Sequence, residues 1–174
     1  MMRLLALPIA FLLLTGAAQP TTPPPRHTYL IPDQRRVVQG WHVSNAAEED
    51  GGRLVRMTRR VGRYVLVYGI SFWRANPGPL AQANVGLPDG DQCAYDEWRR
   101  DPDAGNLWRP ETNLAARSRA VRAVFTRGLA GCHISTGRIA AAMRGFESAF
   151  ALAAHYAELS RRSTIAENDW IMRH

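Results

Sequence analysis

The hydrophobic pattern of this chain changes its period part-way along the sequence. Within residues 37–44 and 54–60, apolar residues alternate with polar ones, the spacing of a β-strand with one buried face. From residue 111 onward they recur at steps of three and four, which is helical spacing. The clearest helical stripe consists of Ile139, Met143, Phe146, Phe150, Ala153 and Ala157. Strands first and helices afterwards predict an α+β domain.

The first part of the chain predicts three strands. Residues 37–44 and 54–60 alternate, with Val37, Trp41 and Val43 expected on one face, whereas residues 63–73 are apolar on both faces, as is typical of a central strand. We therefore expect an antiparallel sheet of three strands, or slightly more, followed by two packed helices. Residues 117–134 leave an alternative, a further strand pair, because they are rich in valine.

Residues 74–110 interrupt both patterns with five prolines and four glycines. Such a stretch predicts a long irregular excursion between the sheet and the helices. Two tryptophans of the excursion, Trp98 and Trp108, are candidate binding residues.

The two cysteines, Cys93 and Cys132, stand 39 residues apart. In an oxidising compartment such a pair predicts one disulfide, which tethers the excursion to the turn between the helices. The adjacent Cys132 and His133 also suggest a thiol–imidazole pair. Adjacent residues do not face each other on a helix or a strand, so the disulfide is the preferred interpretation.

The N-terminal residues are typical of a secretory signal peptide: a basic start, an apolar run over residues 4–14 and small residues up to Ala18. The run is shorter than the ~20 residues of a membrane span, although an uncleaved anchor helix is an alternative. The expected organisation is a signal peptide (1–18), an extended Pro-rich tether (19–36) and one globular α+β domain (37–174). We expect a periplasmic or secreted protein with no membrane span in its mature chain.

The net charge of +7 is unevenly distributed. Residues 51–88 and 112–146 each contain six arginines and no acid, and the block between them is acidic. Two compatible interpretations follow: the acidic excursion folds across and partly neutralises the two basic blocks, and a patch of arginines binds an anionic partner. The candidate patch is Arg56, Arg59, Arg60 and Arg63. All 22 basic side chains are arginine, so their placement is more informative than their number.

Catalytic motifs are absent from the sequence: it has no nucleophile elbow, no phosphate-binding loop and no metal-ligand spacing. We expect neither a cofactor nor a metal, and no specific recognition of nucleic acid. The leading hypothesis is a non-enzymatic protein that binds an anionic envelope lipid or polysaccharide, or another envelope protein. The alternative is a secreted hydrolase with His133 or His42 as the general base.

Overall fold

The computed structural model describes residues 32–48, 52–73, 76–87, 90–99, 114–171 and 173. Within these ranges six strands precede three helices, so the α+β class is confirmed. The strands are β1 (Gln34–Val38), β2 (Trp41–Ala47), β3 (Arg53–Val61), β4 (Tyr64–Trp73), β5 (Asn76–Gly86) and β6 (Gln92–Arg99). The helices are α1 (Leu114–Gly131), α2 (Thr136–Ala142) and α3 (Phe146–Ile171). The helix interpretation of residues 117–131 is thereby confirmed.

The strands form one antiparallel sheet in the order β1-β2-β3-β4-β5-β6. The prediction of three strands was therefore wrong. One added strand arises because Gln39 and Gly40 have positive φ angles of 50° and 83° and form a tight turn, so residues 37–44 belong to a hairpin. The turn places Val37 opposite His42, on the other face from Trp41, and leaves it 64% exposed.

Strands β5 and β6 stand where an irregular excursion was expected, so that prediction was also wrong. Pro77 and Pro79 fall where the register between β4 and β5 shifts, and the pairing of β5 with β6 begins at Leu80. Among the described residues neither proline is paired with β4 or β6, so the N–H that proline lacks is not missing from any described ladder hydrogen bond. Residues 100–113, the end of the expected excursion, lie outside the described residues.

The second predicted helix is broken, which makes three helices instead of two. The turn between α2 and α3 ends at Gly145, whose φ is +72°. A Cβ on this glycine would collide with the side chain of Gln39, so the β1–β2 turn packs here directly against the backbone. The apolar stripe from Ile139 to Ala157 is nevertheless buried on both sides of the break.

The core lies between one face of the sheet and the helices. Its centre is a group of aromatic side chains, in which the ring of Trp41 is 5.8 Å from Phe125 and 5.6 Å from Phe146. On β4, Tyr68 stacks on Phe150 of α3 at 5.3 Å. In the described part of the chain, the opposite face of the sheet has no helix packed on it, and we call it the open face.

The predicted disulfide between Cys93 and Cys132 is confirmed, with the two Cα atoms 5.8 Å apart. It joins the start of β6 to the residue that follows α1. The helix approaches the sheet closely at Gly128, where a Cβ would lie 2.6 Å from Cγ2 of Val85. None of the helices in the described ranges has the combined length and apolar character that a membrane crossing requires.

Candidate functional site: a basic end

The two basic blocks of the sequence meet at one end of the molecule. Antiparallel pairing brings the β1–β2 and β3–β4 turns to the same end of the sheet, and α2 with the following turn packs beside them. One terminal nitrogen of Arg138 lies 3.2 Å from the position that a Cβ on Gly62 would take. We define the basic end as the four exposed arginines of these elements: Arg60, Arg63, Arg138 and Arg144.

Arg59 lies beneath the basic end and connects the β1–β2 turn to the turn between α2 and α3. Its Nη1 donates to the carbonyl oxygen of Gln39 at 3.0 Å and to that of Arg144 at 2.7 Å. The indole Nε1 of Trp41 donates to the same Arg144 oxygen at 3.1 Å, and the Arg59 guanidinium lies 5.5 Å from the Trp41 ring centroid. The break between α2 and α3 therefore supplies a carbonyl that two side chains from the sheet bind. These contacts give Arg59 a structural role in joining two turns.

The electrostatics of this end show positive charges crowded together. Burial, and after it the positive charge of Arg144, lower the pKa of the Arg59 guanidinium from its ordinary value. In the part of the chain that the structure describes, no acidic side chain contacts Arg60, Arg138 or Arg144. An anion bound here would relieve the repulsion between like charges.

Two of these arginines are held by their own turn. Arg60 Nε donates to the carbonyl of Gly62 at 3.3 Å, and Arg63 Nη2 donates to the hydroxyl of Tyr64 at 3.0 Å. The Arg63 guanidinium also lies 5.1 Å from the Tyr64 ring centroid. Such contacts restrict these long side chains, so less entropy is lost when an anion binds.

The four arginines of the predicted patch are divided among three places. Arg60 and Arg63 belong to the basic end, Arg59 lies beneath it, and Arg56 lies on the open face, where its neighbours in the register are Ser44 and Gly69. Trp98 lies in β6 opposite Ala81, but its side chain is outside the described part, and Trp108 is outside it altogether.

Sequence reasoning assigned no role to Arg138 and Arg144. The sequence feature that could have identified them is the second basic block, residues 112–146, which contains no acidic residue. Most of the acidic block between the basic blocks lies outside the described side chains, so its neutralising role stays a prediction.

Comparisons with family models, with curated proteins and with solved structures found no match to this chain. Inference about function therefore depends on the placement of its side chains. Within the described ranges, no three side chains of His, Cys, Asp or Glu are grouped so as to hold a metal ion.

The two candidate catalytic histidines are both exposed. His133 has a positive φ of 61° and its backbone N–H donates to the Ala130 carbonyl at 2.9 Å, so it terminates α1. His42 lies on the open face, opposite Thr58. Neither imidazole makes a hydrogen bond with the described residues, and Cys132 is bonded to Cys93. The thiol–imidazole pair is thereby excluded, and the hydrolase hypothesis stays a prediction.

A buried polar network lies at the other end of the sheet. Asn45, which is fully buried, accepts hydrogen bonds at Oδ1 from Arg53 Nε at 3.0 Å and from Ser160 Oγ at 3.1 Å. Arg53 in turn pairs with the carboxylate of Asp33 at 3.3 Å. The Nδ2 atom of Asn45 has no partner in the described structure. The network joins β2 and β3 to α3 and to the residue before β1, so it holds the sheet against the last helix.

Proposed function

We propose that this protein is a non-enzymatic, periplasmic or secreted protein that binds phosphate groups of an anionic lipid surface through its basic end. The observation that carries the proposal is the convergence of Arg60, Arg63, Arg138 and Arg144 on one end of the fold. Guanidinium groups form paired hydrogen bonds with phosphate oxygens, so arginine is well suited to this chemistry.

The placement of the arginines favours a surface over a single small anion. They lie on a strand end, a hairpin turn, a short helix and an inter-helix turn, and are spread across the end of the domain. Each basic residue close to an anionic membrane contributes about 1 kcal/mol of binding free energy. Four such residues acting together contribute about 4 kcal/mol of binding free energy without any insertion of apolar side chains into the membrane.

The location in the proposal is supported by two features. The first is the signal-peptide pattern of residues 1–18, which comes from the sequence alone because these residues lie outside the described ranges. The Cys93–Cys132 disulfide supports the proposal independently, because structural disulfides persist in oxidising compartments outside the cytoplasm. Phospholipids of a cell envelope present phosphate groups there.

The proposal is tested by co-sedimentation with vesicles of phosphatidylglycerol and phosphatidylcholine, compared with phosphatidylcholine alone. The test variant is Arg138→Gln/Arg144→Gln, and the matched control is Arg119→Gln/Arg127→Gln on the exposed side of α1. Both variants lose two positive charges. We expect the test variant to bind anionic vesicles about thirtyfold more weakly, from about 1 kcal/mol per arginine, and the control to bind within about threefold of the wild type.

Three results would overturn the proposal. Equal losses in both double variants would show a response to net charge alone. Unchanged binding of the test variant would remove the basic end from the interaction. Full competition by low concentrations of inorganic phosphate would indicate a site for one small anion and not for a lipid surface.

A further inference from the structure

The open face is a second candidate surface, which adjoins the basic end at Arg60. The strand register arranges the residues of this face in rows that run across the strands. One row crosses the sheet from Arg35 through Ser44, Arg56 and Gly69 to Gln82. The next row contains Val37, His42, Thr58, Val67 and Asn84. In a two-layer domain such a face is either solvated or covered by a partner, and its chemistry distinguishes the two.

Among the side chains that the structure describes on this face, positive charge lies only on the half formed by β1–β3. Arg35 and Arg56 stand on either side of β2, so their backbones are about 10 Å apart, and both side chains are exposed. Neither makes a hydrogen bond or an ion pair with the described residues. The first row continues into β6 at Glu97, about 14 Å from Arg56 by strand spacing, with its side chain outside the described part. This half of the face is therefore complementary to carboxylates or other anions.

The other half of the face carries no charge in its described side chains. On β4 and β5 its groups are hydroxyls, amides and aliphatic side chains, among them Ser71, Asn84, Val67 and Leu80, all partly exposed. Gly69 lies between the halves, and a Cβ there would meet Leu54 and Gln82 at 3.8 Å, an ordinary contact distance. An occupant of the whole face must therefore offer anionic groups, hydrogen-bonding groups and small apolar surfaces together.

We propose that the open face binds a linear polysaccharide of uronic acid units. Each unit carries a carboxylate, hydroxyl groups that both donate and accept, and an apolar C–H face. The carboxylates match Arg35 and Arg56, the hydroxyls match Thr58 and Asn84, and the C–H faces match the aliphatic side chains of β4 and β5. This inference goes beyond the proposed lipid binding, because it concerns a different surface and a different ligand.

The test uses oligogalacturonate as the probe and isothermal titration calorimetry at physiological ionic strength. Loss of two charge-assisted hydrogen-bonding groups in Arg35→Gln/Arg56→Gln should weaken binding by at least about tenfold. The control Arg119→Gln/Arg127→Gln, which has the same net charge, should stay within about twofold of the wild type. Asn84→Ala leaves the charge unchanged and should weaken binding about fivefold through one lost hydrogen bond.

Further ligands and variants in the same assay distinguish a uronic acid polysaccharide from other occupants. No binding of oligogalacturonate by the wild type, or equal losses in the two arginine double variants, would overturn the inference. Equal affinity for polyglutamate would indicate an acidic peptide as the occupant, and equal affinity for neutral dextran would remove the role of the carboxylates. Arg138→Gln/Arg144→Gln should retain oligogalacturonate binding, so failure of the lipid proposal and failure of this one are distinguishable.

Discussion

Replacing Gly128 with alanine should destabilise the protein, although glycine is a poor helix former. Gly128 lies inside α1, where the helix crosses β5 and β6. The added Cβ would lie 2.6 Å from Cγ2 of Val85, and 2.8 Å from both the Cβ of Val85 and the Cβ of Ala94. Both neighbours belong to strands of the sheet, so neither contact is relieved by rotating a long side chain.

The magnitude follows from two opposing effects. Alanine in place of glycine within a helix is worth about 1 kcal/mol of stability. Overpacking a close-packed interface by one carbon costs about 1–3 kcal/mol, and three contacts below 3.0 Å place Gly128→Ala in the upper part of that range. The net expectation is a loss of about 1–2 kcal/mol in the free energy of unfolding.

The assay is urea unfolding at neutral pH, followed by circular dichroism, with the disulfide intact. Gly137→Ala in α2 is the matched control, because a Cβ there has nothing within 4 Å. The control should gain up to about 1 kcal/mol from its helix propensity and lower conformational entropy of the unfolded chain. The two glycine substitutions should therefore have effects of opposite sign.

A double-mutant cycle tests the cause. Val85→Ala alone creates a cavity and is destabilising, because Val85 is fully buried. When Gly128→Ala is combined with it, the methyl group added to the helix occupies part of that cavity, so the combined loss should be smaller than the sum of the single losses. Equal stability of Gly128→Ala and the wild type, or strict additivity in the cycle, would refute the close-packing argument.

Three other predictions concern charge and cross-linking. Arg59→Met should cost about 1–2 kcal/mol because the Gln39 carbonyl loses the Arg59 donor and the Arg144 carbonyl keeps only that of Trp41, whereas Arg56→Met should change the unfolding free energy by less than about 0.5 kcal/mol in the same urea titrations. Replacing both cysteines by alanine should cost about 4 kcal/mol by the chain-entropy model, and reducing agent should then have no further effect. Hydrogen bonds from Arg161, and with them those from Arg162, lower the pKa of Glu158. The ionised Glu158 therefore stabilises the fold above its unfolded-state pKa, and this stabilisation is lost as the pH falls through the lower folded-state pKa. At neutral pH the free energy of unfolding of Glu158→Gln should be about 0.5 kcal/mol lower than that of the wild type, and in strong acid the two should be equal. A difference that persists in acid would contradict this assignment.

The fold was predictable from sequence only where strong β formers or a full helical stripe were present. β4 was recognised as a central strand because both of its faces are apolar. β5 was missed because the inward residues Ala81, Ala83 and Val85 are mostly small and follow two prolines. The small side chains have a physical reason, since α1 crosses this strand closely at Gly128.

The candidate site was predictable only in part. Arg60 and Arg63 were selected from the local density of positive charge. That Arg59 faces the other side of the sheet from Arg56 follows from strand alternation, but its contact with a carbonyl 85 residues away does not. The role of Arg138 and Arg144 depends on the break between α2 and α3, which the unbroken apolar stripe conceals.

The sheet order has a consequence for how a newly made chain reaches its native state. Because each strand pairs with the strand that precedes it, the sheet can assemble one hairpin at a time during synthesis. The inner side of that growing sheet carries Trp41, Met57 and Leu66, and α3, which covers β2 and β3, follows all six strands in the chain. Until α3 has emerged, the nascent chain exposes a broad apolar surface, so protection from aggregation is needed at that stage above all.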